Sequence, residues 1–568
     1  MERLETKQIS GQTYYYYSKW GWVDGKCRRV WQKYLGKLEH MVKAVEGDGR
    51  VPLYAEVFHW GLPTALWKEC QHAGVVHEVD ALCPKRDQGL STGAYIAIAA
   101  MNRAMAPSSK RSLWEWFSQT VLMRSFPEAS KAALASQRFW DHLDRIDAQT
   151  AAVIWQNIIK GVVTREKIDL SALLHDGTNF YTFIDTFTVR CTLARRGKNK
   201  QGRSNLRQVS YALFCSTDGH LPVFYEVYEG NRHDARHFPG MLERFHRFYK
   251  DLSPGPPPEI TLVFDKGNNG APAFALLDSQ HIKYVGSVKL DEHKDLAHIS
   301  NNDPVLVPCG EELEGTRAFR VKRQVYGQVR VLVVTYHQDL FTAQWLTLQQ
   351  DTEKALGRLS ALHQKLEDRR SGIVTQGKAP TRESVAEQCR DILSRQHLKR
   401  VIEVTIETVG GKLRMTYGIN AEKLKEVADT YLGKTILITN REEWDNVEVV
   451  KAYRSQFVIE EVFKEMKDRT SGSWWPLFHW TDAKIRVHGL YCTIALLLRA
   501  LAIRRVRTAG LQLSMKRMLS ELNAIREVVN IYPRTGREKA ERKHAVLTKT
   551  SELQQQLISL LELQEGPF

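Results

Sequence analysis

The sequence lacks several features that would place it in a specialised class. Its eight cysteines, Cys27, Cys70, Cys83, Cys191, Cys215, Cys309, Cys389 and Cys492, are scattered without a C-x-x-C pair, which argues against structural zinc and against a disulfide framework. The opening MERLETKQISGQTYYYY has no apolar core of the kind a signal peptide needs. The longest apolar run, Gly489 to Leu498, lies between Arg486 and Arg499 and is too short to span a bilayer, so a cytoplasmic protein with no membrane partner is expected. At 43% hydrophobic and 26% charged residues, the composition excludes wholesale disorder, collagen and a coiled-coil rod.

Length and positive charge are what the chain does have. Its 568 residues suffice for about three to five structural units at roughly 100–200 residues each. Lys plus Arg number 81 against 65 for Asp plus Glu, a net +16 that favours a polyanionic partner. The excess is clustered: Arg190 to Arg207 holds seven basic residues and no acid, and Arg504 to Lys549 holds twelve against four.

Residues 12–36 read as a strand pair around Asp24-Gly25 that closes on YLGK at 34–37. Helical spacing of apolar residues marks 59–165 as a helical unit, either a grip for nucleic acid or a plain packing domain, with 1–58 as a separate β-rich segment. Over 166–289 the pattern becomes α/β. A strand from Ile168 to His175 ends at Asp176, and Gln208–Ser216 and Leu221–Glu229 form a hairpin about Asp218-Gly219. A helix follows from Asp234 to Tyr249, and then SPGPPPE breaks the chain before the strand Ile260–Phe264, which ends at Asp265. The helix Ala271–Ser279 leads to a strand at Lys283–Val288. Residues 290–432 read as an α+β insertion around a long helix from about Phe341 to Glu367, with Leu348, Leu356, Leu359, Leu362 and Leu366 as its packing stripe. The layer resumes over 433–500 with a strand at Lys434–Thr439 and a helix over Val449–Lys467, and 501–568 reads as a basic helical tail.

Asp176 and Asp265 each close an apolar strand, where an open α/β sheet brings reactive side chains together. On the helix AYRSQFVIEEVFKEMKD, at about 100° per residue, Tyr453, Gln456, Glu460 and Lys467 share one edge of the apolar stripe. Two aspartates and a glutamate are hard oxygen donors suited to divalent ions. Two Mg²⁺ ions can activate an attacking oxygen and stabilise the leaving oxygen of a phosphodiester.

These residues resemble the DDE transposases of bacterial insertion sequences, in the group whose third acid lies in a Y-x2-R-x3-E-x6-K signature. Tyr453, Glu460 and Lys467 match that spacing, while Gln456 stands at the arginine position and Arg454 falls on a different face. HDGTN at 175–179, YEGNRHD at 228–234, FDKGNNG at 264–270, LITN at 437–440 and HWTDAKIRVHGL at 479–490 follow in the family's order, so the resemblance spans most of 167–500. A second departure is Trp474-Trp475-Pro476, where relatives more usually carry an arginine before the proline.

The resemblance implies an RNase H-like mixed-sheet core interrupted by the insertion. It also implies an N-terminal strand-plus-helical DNA-binding region and a helical C-terminal tail. The reaction would be cut-and-paste transposition: hydrolysis at each transposon end, then attack of the freed 3′ hydroxyl on target DNA. Asp176, Asp265 and Glu460 would be the catalytic metal ligands, with two Mg²⁺ ions that Mn²⁺ can replace. Tyr453, Gln456 and Lys467 would position the terminal strand, and Arg195, Arg196, Lys198, Lys200 and Arg203 would bind DNA. Trp475, or its neighbour Trp474 or Trp480, would stack on an unpaired base, with core packing expected for at least two of the three. His175 and His488 read as hydrogen-bonded structural groups. The partners implied are terminal inverted repeats, target DNA and a second copy in a synaptic dimer, in a bacterial, nucleoid-associated setting. A nuclease of the same fold without strand transfer, and a catalytically silent repressor, are the alternatives.

Overall fold

The computed structural model describes residues 2–23, 26–45, 51–84, 89–199, 202–252, 259–532 and 542–563. The Asp24-Gly25 turn, Lys200 and the Pro-rich break at 253–258 lie outside the described residues. The chain divides into two compact units, one of Met1–Glu69, Lys110–Ser136 and Ala502–Phe568, the other of Cys70–Ser109 and Gln137–Leu501.

The first unit opens with three antiparallel strands, β1 (Glu2–Ile9), β2 (Gln12–Val23) and β3 (Lys26–Gly36). The sequence pattern indicates only two of them. The third arises because Ser10 and Gly11 both take positive φ, 53° and 78°, the twist that a two-residue hairpin requires. A further strand, β4 (Tyr54–His59), belongs to a separate sheet.

The second unit is built on a ten-stranded mixed sheet. Its strands are β5 (Ala172–Tyr181), β6 (Arg195–Arg196), β7 (Arg207–Ser216), β8 (Pro222–Glu229), β9 (Thr261–Phe264), β10 (Lys283–Val288), β11 (Val307–Pro308), β12 (Thr316–Val325), β13 (Gln328–His337) and, after a hairpin of β14 (Ile402–Val409) and β15 (Lys412–Ile419), β16 (Lys434–Thr439). The order is β11-β12-β13-β16-β10-β9-β5-β7-β6, with β8 also on β7. β5, β9 and β10 run parallel at the centre. Every residue of β7 and β9 is buried, as expected of strands covered on both faces.

Two sequence expectations change in this sheet. The strand expected to end at Asp176 continues to Tyr181, because residues beyond its parallel neighbour β9 still pair with β7, down to Tyr181 opposite Gln208. The part of the expected insertion up to His337 extends the core sheet, since the apolar β13 pairs antiparallel with β16. A distinct core begins with the 33-residue helix Gln338–Arg370. There Leu348, Leu359, Leu362 and Leu366 are buried against Val385, Val401, Met415 and Val427, while Leu356 is partly buried at the margin.

The helix expected over Val449–Lys467 is two helices, Asn446–Arg454 and Phe457–Lys467. Ser455 and Gln456 keep helical dihedrals, but Gln456 N donates to the Tyr453 carbonyl three residues back, tightening one turn. The C-terminal region also departs from its expected helical character. β17 (Arg526–Tyr532) alternates buried and half-buried residues and pairs with β4 and β18 (Arg542–Leu547), a period-two pattern that helical periodicity overlooks.

By length and composition the helix Asp482–Thr508 could cross a membrane, but 94% of its most apolar stretch is buried inside the protein. Such burial is that of a core helix rather than a lipid-facing one.

Candidate active site

The parallel register sets the positions of the two aspartates. His175 of β5 pairs with Phe264 of β9, so Asp176 and Asp265 occupy the next step of neighbouring strands and share a face of the sheet. On the other side of β9, Phe264 pairs with Gly286 of β10, which brings Ser287 level with Asp265. Ser287 Oγ donates to Asp265 Oδ1 at 3.0 Å.

The two ends of the signature segment hold it to this face. Tyr453 OH lies 2.9 Å from Ser287 Oγ and 3.3 Å from Asp265 Oδ1, so its single proton is better placed for the serine. Burial raises the Tyr453 phenol pKa, with the charges of Asp265 and Glu460 adding to the effect, and the ring stays a neutral donor. Lys467 Nζ donates to Thr178 Oγ1 at 2.5 Å, and Thr178 follows Asp176 by two residues on the same face of β5. Glu460 is exposed on the helix between these two anchors, close enough for its charge to act on Tyr453.

Three carboxylates suit a hard divalent ion, and the neighbouring positions of Asp176 and Asp265 give two of them a common face. Among the described residues no three His, Cys, Asp or Glu side chains are grouped closely enough to hold a metal ion. Asp176, Asp265 and Glu460 therefore do not form such a group, and Glu460 is tied to this face through its charge on Tyr453.

The remaining expected site residues are placed differently from one another. Gln456 occupies the position before the second signature helix without a side-chain capping bond, and Arg454 NH2 donates to Thr316 Oγ1 at 2.6 Å on β12, so Arg454 does not stand in for the missing arginine. Arg195, Arg196, Lys198 and Arg203 are exposed. Arg196 donates to Thr186, and Arg203 stacks 5.1 Å over Tyr181. Arg469, to which no sequence motif points, donates to the Tyr181 hydroxyl and lies 5.4 Å over Trp475. Arg207, from the same basic window, is buried and holds the carbonyls of Asp185, Thr188 and Cys191.

Trp475 does not offer a free face for base stacking. It is 7% exposed, its Nε1 donates to the Tyr181 carbonyl at 3.0 Å, and its ring packs on Phe180 and Tyr181. Trp474 is buried on Phe180. Trp480, by contrast, is 42% exposed with Arg190 over its ring.

Both histidines are structural. His175 stacks between Phe214 and Phe238, lies 3.1 Å from the Leu213 carbonyl, and has its pKa pulled down to about 3 by burial. His488 contacts the Trp474 carbonyl and Tyr491 OH. In the YEGNRHD motif Gly230 packs directly on the Gln208 carbonyl, where any Cβ would collide.

Ser287 and Thr178 are the site residues that sequence reasoning missed. Only the pairing of β10 with β9 signals Ser287. Thr178 lies within HDGTN, and period-two spacing from Asp176 puts it on the same face.

Among solved structures, the chain is similar to the piggyBac transposase synaptic complex with hairpin DNA, at 11% identity over 81% of this chain and 79% of that one, with a TM-score of 0.38. It is also similar to the Mos1 transposase paired-end complex with left transposon end, at 10% identity over 35% of this chain and 59% of that one, with a TM-score of 0.15. A Mos1 mariner paired end complex with Mn matches at 12% identity over 35% and 60% of the two chains, again with a TM-score of 0.15. No curated protein matches the chain. The model of the transposase DDE domain matches residues 169–498, more than half of the chain and the whole span from β5 to the helix that follows the signature. Members of this family generally use divalent metal ions, and the match favours neither the stand-alone nuclease nor the silent repressor. With that match over the strands and helices that carry the acids, the chain belongs to the transposase DDE domain family and is a DDE transposase.

Proposed function

We propose that this chain cuts DNA at the terminal inverted repeats of its own element and joins the freed 3′ ends to target DNA, with Asp176, Asp265 and Glu460 holding two divalent ions of the Mg²⁺ type. The observation that carries the reading is the shared face of Asp176 and Asp265 on parallel strands, with Tyr453 and Lys467 bonded into that same face. When bound, the ions would activate the attacking oxygen and stabilise the leaving one. The protein's own groups orient the ligands: Tyr453 donates to Ser287, which holds one oxygen of Asp265, and the other oxygen would be used for coordination. Lys467 supplies a cation beside Asp176, where a phosphate of the terminal strand would be held. The exposed cations Arg195, Arg196, Lys198 and Arg203, with Arg190 and Trp480, flank the route of the strand. A dimer would hold two ends together for joining.

Asp176→Asn, Asp265→Asn and Glu460→Gln are the test. Each abolishes Mg²⁺-dependent cleavage of a terminal-repeat duplex and leaves binding of that duplex largely intact. A variant that still cuts at the normal rate removes its residue from the metal site.

A further inference from the structure

The N-terminal sheet of β1, β2 and β3 is built unlike the rest of the chain. Residues 2–37 carry eight Tyr or Trp and eight Lys or Arg against three acids. Yet among the described residues of these strands only Ser18 and Gly36 are buried. Trp22 is 79% exposed, and Tyr34 and Trp31 are exposed as well. A sheet so rich in rings ordinarily buries one face on a core, and this one buries neither.

Its two faces differ. On one, Tyr14, Tyr16 and Tyr34 pack together beside Trp20. Four cations lie over these rings: Arg3 and Arg29 over Trp20, Lys7 over Tyr16 and Lys37 over Tyr14. The single acid on this face, Glu5, is enclosed by Arg3, Arg29, Ser18, Trp20 and Gln32. Its side chain is far less exposed than that of either arginine that binds it. The opposite face displays an exposed acid, Glu2, held by Tyr17 and Lys19.

We propose that the Trp20/Tyr34 face of this sheet is a duplex-DNA reading surface. Three strands about 4.8 Å apart make a platform about 10 Å wide, close to the roughly 12 Å width of the B-DNA major groove. The cations lying over the rings reach phosphates, and the ring edges beside them meet bases and sugars. With its one acid already neutralised, the face presents net positive charge to a polyanion and offers nothing comparable to a neutral protein surface. The inference rests on the reading of this chain as an enzyme that acts on DNA, and it assigns duplex binding to a sheet rather than to the helices at 59–165.

The test uses the full chain and a labelled duplex of the element's terminal repeat. Binding is measured across a salt series for Arg3→Ala/Lys7→Ala/Arg29→Ala/Lys37→Ala and for Lys19→Ala/Arg28→Ala/Lys33→Ala on the opposite face. The first set lowers the slope of log K against log salt by about four, near one unit for each phosphate no longer neutralised, and the second changes it far less. Far-UV circular dichroism confirms that both sets fold, and light scattering reports their oligomeric state. An unchanged slope for the first set, a larger loss for the second, or loss of dimer with DNA binding retained overturns the proposal, the last making the sheet an interface between copies. Tighter binding of an RNA duplex of the same sequence also overturns it. Cleavage at saturating protein separates this failure from that of the enzymatic reading, because the acid variants then stay inactive whatever the sheet does.

Discussion

The Tyr453–Ser287–Asp265 chain supports a quantitative prediction. Tyr453 carries one proton, and the 2.9 Å approach to Ser287 is better than the 3.3 Å approach to Asp265, so the proton runs to Ser287, which passes its own to Asp265 at 3.0 Å. In Tyr453→Phe the serine still donates to the aspartate, and the loss is one ordinary hydrogen bond, about 1 kcal/mol or roughly fivefold in cleavage rate. In Ser287→Ala the phenol is released to donate directly to Asp265, so that loss is about the same. Removing both leaves the carboxylate with neither donor, and a hydrogen bond to a charged group is worth about 1.5–3 kcal/mol. The double variant therefore falls further than the product of the two single losses, by a coupling on the order of 1 kcal/mol. The assay is single-turnover cleavage of a terminal-repeat duplex at saturating Mg²⁺, with thermal melting to confirm that all three proteins are folded. Single losses that multiply to the double loss would refute the relay, and normal cleavage by the double variant would remove Ser287 and Tyr453 from the orientation of Asp265.

The buried and exposed tryptophans separate in the same way. Trp475→Ala costs about 3–5 kcal/mol of stability and lowers the melting temperature, whereas Trp480→Ala leaves melting unchanged and weakens DNA binding by about 1–3 kcal/mol, read by anisotropy. Neutralising Arg195, Arg196, Lys198 and Arg203 flattens the salt dependence of binding by about one unit for each phosphate they neutralise, while Arg207→Ala destabilises the fold because its guanidinium holds three carbonyls. His175 is held neutral, its pKa near 3 against 6.5 for the free residue, so the unfolded chain binds the extra proton and stability falls as pH drops from 6.5 toward 3. His175→Phe, which suits the same stack of rings, reduces that acid sensitivity in pH-dependent melting curves.

The sequence by itself determines the order of the core elements and the neighbourhood of the acids. Apolar runs of strand length end at or pass through Asp176 and Asp265, and seven-residue steps link Tyr453, Glu460 and Lys467, so local period and spacing suffice. Ala271–Ser279, Lys283–Val288 and Lys434–Thr439 are read to the residue; Gly270 marks the start of the first, and Gly433 and Asn440 bound the last. Tertiary pairing decides what those patterns leave open. It carries β5 past Asp176, draws β12 and β13 into the core sheet and turns β17 from tail into strand, because a strand acquires its hydrogen bonds from partners far away in sequence. It also decides the roles of individual side chains. Ser287 joins the site through the β9–β10 register, Trp475 leaves the expected DNA surface for the core, and Arg207 becomes a structural group within a basic run. Burial and register are set by what lies across the sheet, and one-dimensional spacing carries no record of that.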